Sequence, residues 1–207
     1  MRVAVVDHGM GNLRSVAKAL IAAGAEVTVT ADPRSINGAD ALCVPGQGTF
    51  GRCMSNIAAA GLTEVLPRWI DDGKPFLGIC LGMQVLFSKS DESGGGEGLG
   101  ILDGTVRRLP ATVRVPHIGW NTVTPPPSER KRALSEPFRS LGDGEHYYFD
   151  HSYAVHPTDE AIVTGWCDHG ERFAARVETG PVLAVQFHPE KSGVAGIRLL
   201  QSWIRRS

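Results

Sequence analysis

No apolar run in this sequence approaches the roughly 20 residues needed to cross a bilayer. The opening Met1-Arg2-Val3-Ala4-Val5-Val6-Asp7 lacks the long apolar stretch and small-residue cleavage site of an export signal. It reads instead as a first strand, and a cytoplasmic protein is expected. An excess of one charge sign is also missing. There are 21 Lys and Arg against 22 Asp and Glu, a net charge of −1 and no basic block. That excludes an electrostatic face for nucleic acid. The four cysteines, Cys43, Cys53, Cys80 and Cys167, contain no Cys-x-x-Cys pair, and no Cys/His spacing suits zinc. No metal and no cofactor is expected, and the cysteines read as reduced thiols. Cys43, Cys53 and Cys167 are read as packing residues. The glycine-rich Gly94-Gly95-Gly96-Glu97-Gly98 has no Gly-Lys-Ser/Thr ending and no dinucleotide spacing. It is not a phosphate loop and reads as a flexible surface loop. Neither an internal repeat nor a domain linker interrupts the chain. Its 207 residues, 42% of them hydrophobic, suffice for one domain over 1–207 with a substantial core.

What is present alternates strand and helix. Residues 2–7 read as a buried parallel strand, followed by a turn at Gly9-Met-Gly-Asn12. Asn12 or Ser15 caps a helix running to about Ala23, and Gly24 ends it. Glu26 to Thr30 and Ala41 to Val44 are further strands, and 62–72 is helical. This predicts an α/β fold: a mainly parallel central sheet flanked by helices. From about residue 104 the pattern changes to short strands and turns, with Pro125-Pro126-Pro127 as a rigid break. That half is expected to add an antiparallel edge. Residues 193–206 form an amphipathic helix covering one sheet face.

The stretch Gly78-Ile-Cys80-Leu-Gly82-Met-Gln84 carries the chemistry. An apolar strand ends at Cys80 and a helix over 81–89 is predicted to follow. Gly-x-Cys-x-Gly matches a nucleophile elbow, a sharp strand-to-helix turn that exposes a strained side chain. The helix would aim the positive end of its dipole at the sulfur and favour thiolate. Alone, the motif leaves a packed core cysteine equally open. Its partner is Gln186-Phe-His188-Pro-Glu190, just beyond the strand from Val182. Pro189 forces His188 into extended geometry. Residues two apart in extended chain share a side, so Glu190 can hold one imidazole nitrogen while the other faces Cys80. His151, beside Asp150, is the rival base, but adjacent residues in extended chain point apart. Beside an elbow, the peptides of Pro45-Gly46-Gln47-Gly48 can present a backbone N–H to an oxyanion. Functional loops of such sheets lie at the carboxyl ends of strands.

In this chain order the three motifs resemble those of class I glutamine amidotransferases. Pro116-His-Ile-Gly-Trp120-Asn121, Tyr148-Phe-Asp150-His151-Ser152-Tyr153 and Lys191-Ser192 narrow the likeness to glutaminase subunits of imidazole glycerol phosphate synthase, in histidine biosynthesis. The likeness extends over the whole chain. It implies the flavodoxin-like amidotransferase fold and a Cys80–His188–Glu190 triad that hydrolyses glutamine to glutamate and ammonia. It places oxyanion donors on Gln47, Gly48 and Leu81. It assigns glutamine binding to Gln84 and the backbone of His151, Ser152 and Tyr153. It implies a separate cyclase subunit, in a heterodimer, that uses the ammonia to make imidazole glycerol phosphate and aminoimidazole carboxamide ribotide. Trp120, Asn121 and Lys191 are the interface candidates. Partner gating by reorientation of a peptide at Gly46–Gly48 is also expected.

Two residues depart from the pattern. Gln47 stands where the family usually carries a small aliphatic residue, which leaves a backbone donor intact. Asp150 replaces an apolar residue and is expected to point away from the pocket. The alternatives are the glutaminase of another synthase, such as pyridoxal phosphate synthase, or a non-catalytic binding subunit on the same fold.

Overall fold

The computed structural model describes residues 1–126 and 144–206. Strand β1 (Arg2–Val6) leads through helix α1 (Leu13–Ala22) to β2 (Glu26–Thr30). Helix α2 (Pro33–Asn37), β3 (Ala41–Gly46), α3 (Phe50–Ala59) and α4 (Val65–Asp71) follow. Strand β4 (Phe76–Cys80) turns into α5 (Leu81–Gln84), then β5 (Phe87–Ser90), β6 (Gly96–Glu97) and β7 (Leu102–Arg108). The remaining strands are β8 (His117–Val123), β9 (Glu145–His151), β10 (Tyr153–Pro157), β11 (Val163–Asp168), β12 (Arg172–Thr179) and β13 (Val182–Val185). Helix α6 (Gly193–Arg206) comes last.

The central sheet runs β2-β1-β3-β4-β13-β12-β10-β7-β5-β6, with β11 on β12. Strands β2, β1, β3, β4 and β13 are mutually parallel, and the antiparallel edge starts at β12. Alternate residues of β1 serve two cores. Val3 and Val5 pack with α1 and α6, through Leu20, Leu199, Leu200 and Trp203. Ala4 and Val6 pack with α2, α3 and α4, through Ile36, Ile57, Leu66 and Trp69. Burial on both faces explains why β1, β3 and β4 read as continuous apolar runs. Helix α1 is capped by Asn12, whose side chain accepts from the Ser15 N–H, and the chain leaves it through Gly24 at φ 102°.

Two expectations need correction, and a third is met and exceeded. The helix after Cys80 is one turn, Leu81–Gln84, not 81–89. Val85, Leu86 and Phe87 are all fully buried, which leaves no polar face for a helix. Their carbonyls are instead taken by the returning chain: Leu99 N–H donates to Val85 O at 2.8 Å, and Leu102 N–H to Leu86 O at 2.9 Å. A one-turn helix has little macrodipole, so its help to the sulfur comes from individual N–H groups. The glycine-rich stretch is also no loose loop. It holds the 3-10 turn Glu92–Gly94 and strand β6, and Gly98 approaches so closely that a Cβ would lie 2.0 Å from Phe87 O. Finally, the second half does more than extend the sheet edge. Strands β8 and β9 form a separate antiparallel ribbon. Of the expected proline break, Pro127 lies outside the described residues.

At the elbow, Cys80 adopts φ 55° and ψ −109°, a region that costs a non-glycine residue about 1–3 kcal/mol. The backbone beside it is packed too tightly for side chains. A Cβ on Gly82 would sit 1.7 Å from the Val44 carbonyl oxygen, and one on Gly78 would sit 2.6 Å from Gly82 O. Gly82→Ala must therefore push α5 off β3. It is expected to lose more than about 3 kcal/mol of unfolding free energy, read from urea unfolding, or not to fold.

Candidate active site

Three parallel strands bring the site together. Gly46 at the end of β3 pairs in register with Cys80 at the end of β4, and Val185 of β13 pairs with Ile79. The Gln47–Thr49 loop, the elbow and the segment after β13 thus leave the sheet side by side at its carboxyl edge. A cleft of about 360 Å³ opens there. Gln47 and Gly48 line it from the loop, Cys80, Leu81 and Gln84 from the elbow, and His151, Ser152 and Tyr153 from the β9–β10 junction.

His188 is held from all sides. Its backbone is extended, φ −103° and ψ 95°, as Pro189 requires. Its N–H donates to Tyr148 O at 2.9 Å, and its carbonyl accepts from Ser192 Oγ at 2.6 Å. Nδ1 lies 2.8 Å from Glu190 Oε1, with both side chains nearly sealed from solvent. Nε2 is buried and makes no hydrogen bond to protein among the described residues. Burial alone would discharge this imidazole. Cys80 and Glu190 outweigh it and push the His188 pKa up to about 10.

The rival histidine lies in a different environment. His151 is pushed down to about 3 and His117 to about 4, in both cases chiefly by burial. Both rings are neutral and serve structure. His151 Nδ1 donates to Tyr153 O at 2.9 Å, and His117 Nδ1 lies 3.1 Å from His151 Nε2. His117 also stacks between Phe149 and His169.

The glutamine-site candidates are partly engaged already. Gln84 Nε2 donates to Tyr153 O at 2.9 Å and to Gln186 Oε1 at 3.0 Å, which leaves its carbonyl oxygen as the available group. The carbonyls of Ser152 and Tyr153 accept from Leu109 N–H and from Gln84 and His151. Among the described residues, the N–H groups of Gln47, Gly48 and Ser152 donate to no protein acceptor. Leu81 follows Cys80 directly, the place that an oxyanion donor takes in a nucleophile elbow.

Three features in or behind the cleft were missed in the sequence. Glu92 lines the cleft, and its Oε2 accepts the Phe50 N–H at 2.6 Å, capping α3 where Thr49 provides no side-chain cap. Its position depends on the folding of the glycine-rich stretch, for which no local signal exists. His8, in the turn after β1, is buried with Nε2 2.6 Å from Pro45 O, at the root of the Gln47 loop. Gln186, quoted only as part of a motif, is fully buried and donates to Cys80 Sγ at 3.5 Å.

Away from the cleft, Trp120 is 56% exposed on β8 next to Ile118's 58%, and it packs edge-on against Tyr148 of β9. Lys191 lies over the Tyr148 ring and 3.6 Å from Asp150 Oδ2. Asp150 alternates with buried His151 as expected, yet it borders the cleft rather than avoiding it, because the opening lies at the strand end. Asn121, expected at an interface, turns its amide inward to His117 Nε2 and Asp168 O. The other cysteines are buried. Desolvation pushes the thiols of Cys53 and Cys167 up to about 12 and that of Cys43 higher still.

The sequence pattern of the family described as glutamine amidotransferase class-I matches residues 4–205. The chain is 49% identical to the imidazole glycerol phosphate synthase subunit HisH of Aquifex aeolicus, over all of this chain and 98% of that one. It is 45% identical to HisH of Moorella thermoacetica, covering 97% and 93%, and 43% identical to HisH of Methanothermobacter thermautotrophicus, covering 98% and 97%. A crystal structure of a glutamine amidotransferase superposes with a TM-score of 0.75 at 22% identity, covering 98% of this chain and 97% of that one. The PurLQS structure from Thermotoga maritima does so with 0.75 at 19%, covering 99% and 98%. These two likenesses bear on the fold alone. With the family pattern over nearly its whole length and full-length relatives well above 40% identity, the chain belongs to the class-I glutamine amidotransferases.

Proposed function

We propose that this chain is the glutaminase subunit of an imidazole glycerol phosphate synthase. As a single amidotransferase domain, it hydrolyses glutamine and hands ammonia to a separate cyclase subunit. That partner uses the ammonia to form imidazole glycerol phosphate and aminoimidazole carboxamide ribotide. The observation that carries the chemistry is the convergence of a positive-φ cysteine and a buried His188–Glu190 pair at neighbouring strand ends. The full-length identity to HisH subunits supports the choice of partner.

In this reading the Cys80 thiolate attacks the side-chain amide carbon of glutamine. The carbonyl electrons move to oxygen, and N–H groups of Leu81 and of the Gln47–Gly48 loop stabilise the oxyanion. One such donor is typically worth about 2.7–4 kcal/mol. The C–N bond then breaks as His188 Nε2–H protonates the departing nitrogen, giving ammonia and a γ-glutamyl thioester. His188, now neutral, takes a proton from water. The hydroxide adds to the thioester, the C–S bond breaks, and glutamate leaves. Glu190 keeps the imidazole oriented and stabilises its charged form. At the other end of the substrate, the Glu92 carboxylate and Gln84 Oε1 suit an ammonium, and the Ser152 N–H suits a carboxylate. A glutaminase acting alone would release ammonia without use. Docking of the cyclase on the exposed Ile118–Trp120 face, with Tyr148 and Lys191 beside it, is the natural gate.

Glutamate release by the purified chain is expected to be low alone and to rise when the cyclase subunit and its nucleotide ligand are added, with Cys80→Ala inactive throughout. Release that ignores the cyclase would keep the chemistry but reject the partner, and normal release by Cys80→Ala would reject the nucleophile. His188 must carry a proton to expel ammonia. Its pKa is raised, so activity in the complex holds through neutral pH and falls as pH rises through about 10. Glu190→Gln removes one of the groups that raise it, and the falling limb of kcat/KM should move to lower pH. The loop donor is tested by a pair of substitutions. Gln47→Ala keeps the N–H and should be mild. Gln47→Pro removes it and should cost at least tenfold in kcat in a protein shown by circular dichroism to be folded.

A further inference from the structure

We infer that Gln186 is the amide donor that holds the Cys80 sulfur, turned into that role by a chain of hydrogen bonds whose direction cannot reverse. The inference rests on the reading of Cys80 as the nucleophile. Gln186 Nε2 lies 3.5 Å from Cys80 Sγ, and the side chain is wholly sealed from solvent. Distance alone does not say which end of an amide faces the sulfur, because nitrogen and oxygen are nearly alike in shape. The surrounding network does say it. A backbone carbonyl can only accept, so Gln84, 2.9 Å from Tyr153 O, must present its NH2 there. The second hydrogen of that NH2 points to Gln186 at 3.0 Å, so Gln186 must present its oxygen. Its own NH2 then faces the sulfur. A reversed Gln186 would set two NH2 groups against each other and aim a carbonyl oxygen at a thiolate.

The same carbonyl is pinned from its other side. His151 Nδ1 donates to Tyr153 O at 2.9 Å, which leaves His151 Nε2 to accept from His117 Nδ1 at 3.1 Å. His117 Nε2 in turn accepts from Asn121 Nδ2 at 3.2 Å. Each ring is neutral and carries one hydrogen, so only one direction satisfies every member. The arrangement runs from β8 through Tyr153 O and Gln84 to Gln186 and ends on the reacting atom.

An N–H directed at sulfur favours the charged form and restrains the Cys80 side chain in the orientation from which it attacks. The donor is lost to the sulfur as the C–S bond forms and regained when it breaks. No atom is transferred through Gln186.

Alkylation of the purified chain by iodoacetamide, followed across pH and located by peptide mass analysis, tests this without the partner or glutamine. The comparison is the native chain with Gln186→Met and Gln186→Glu, each checked by thermal unfolding. Removing the donor should slow labelling of Cys80 roughly tenfold at pH 7, the scale of one hydrogen bond to a charged group, and move its pH profile to higher pH. Gln186→Glu should be the slower of the two, since its carboxylate opposes the thiolate. A packing role would lower the unfolding temperature and leave the pH profile in place, and that result in the folded variants overturns the inference. If neither variant folds, Gln84→Leu removes the group that orients Gln186. A smaller shift in the same direction is then expected, and an unshifted profile overturns the inference. A native chain whose Cys80 resists labelling at every pH would overturn the nucleophile reading itself, an outcome distinct from unshifted variants.

Discussion

The contact between Gly82 and the Val44 carbonyl is the constraint on which the site depends. With a virtual Cβ only 1.7 Å from that oxygen, the backbone of α5 lies directly on β3. This close seat makes the turn at Cys80 sharp enough to force φ to 55°. The strained conformation persists because the strand before it is paired on both sides, with β3 and with β13. Two neighbouring ladders and full burial outweigh a local cost of about 1–3 kcal/mol. The same pairing sets Gly46 opposite Cys80, so the Gln47–Gly48 loop and the Cys80 sulfur belong to one rigid edge.

Three histidines near the cleft differ in charge through their surroundings alone. His188 sits between a carboxylate and a sulfur, and burial strengthens those attractions even as it opposes the charge. His151 and His117 are as closely enclosed, but by each other, by aromatic rings and by a carbonyl and an amide. With no anion near, desolvation keeps them neutral. One fold thereby holds one imidazole charged and two others neutral.

The β8–β9 ribbon joins an outward face to His188. Its outer side carries Ile118, Trp120 and Tyr148, while its inner side buries Tyr147, Phe149 and His151. The backbone of Tyr148 accepts from His188 N–H, and its own N–H donates to Ser192 Oγ, which in turn holds His188 O. A displacement of β9 is therefore also a displacement of His188. The outward face and His188 are thus linked mechanically, by hydrogen bonds to one strand.

The local patterns in the sequence were enough for the parallel half of the fold. Continuous apolar runs, Asn12 and Gly24 marked β1 to α1 to β2, and Gly78, Cys80 and Gly82 marked the elbow. His188-Pro189-Glu190 was legible because proline restricts the residue before it and spacing alone then puts two side chains on one side. The helix after Cys80 stops at Gln84 although Val85, Leu86 and Phe87 look helical by hydropathy, because their carbonyls are taken by Leu99–Leu102, which no local rule foresees. Glu92, His8 and Gln186 escaped for the same reason. Each acts through a partner 37 to 106 residues away. Local pattern alone was enough for the parallel sheet, the elbow and the pairing of His188 with Glu190, since these follow from dihedral preferences and hydrophobic periodicity over a few residues. Only the tertiary structure decided which histidine is charged, which end of each amide faces its neighbour and where the cleft opens, because those depend on burial and on hydrogen-bond partners that long-range folding alone brings within reach.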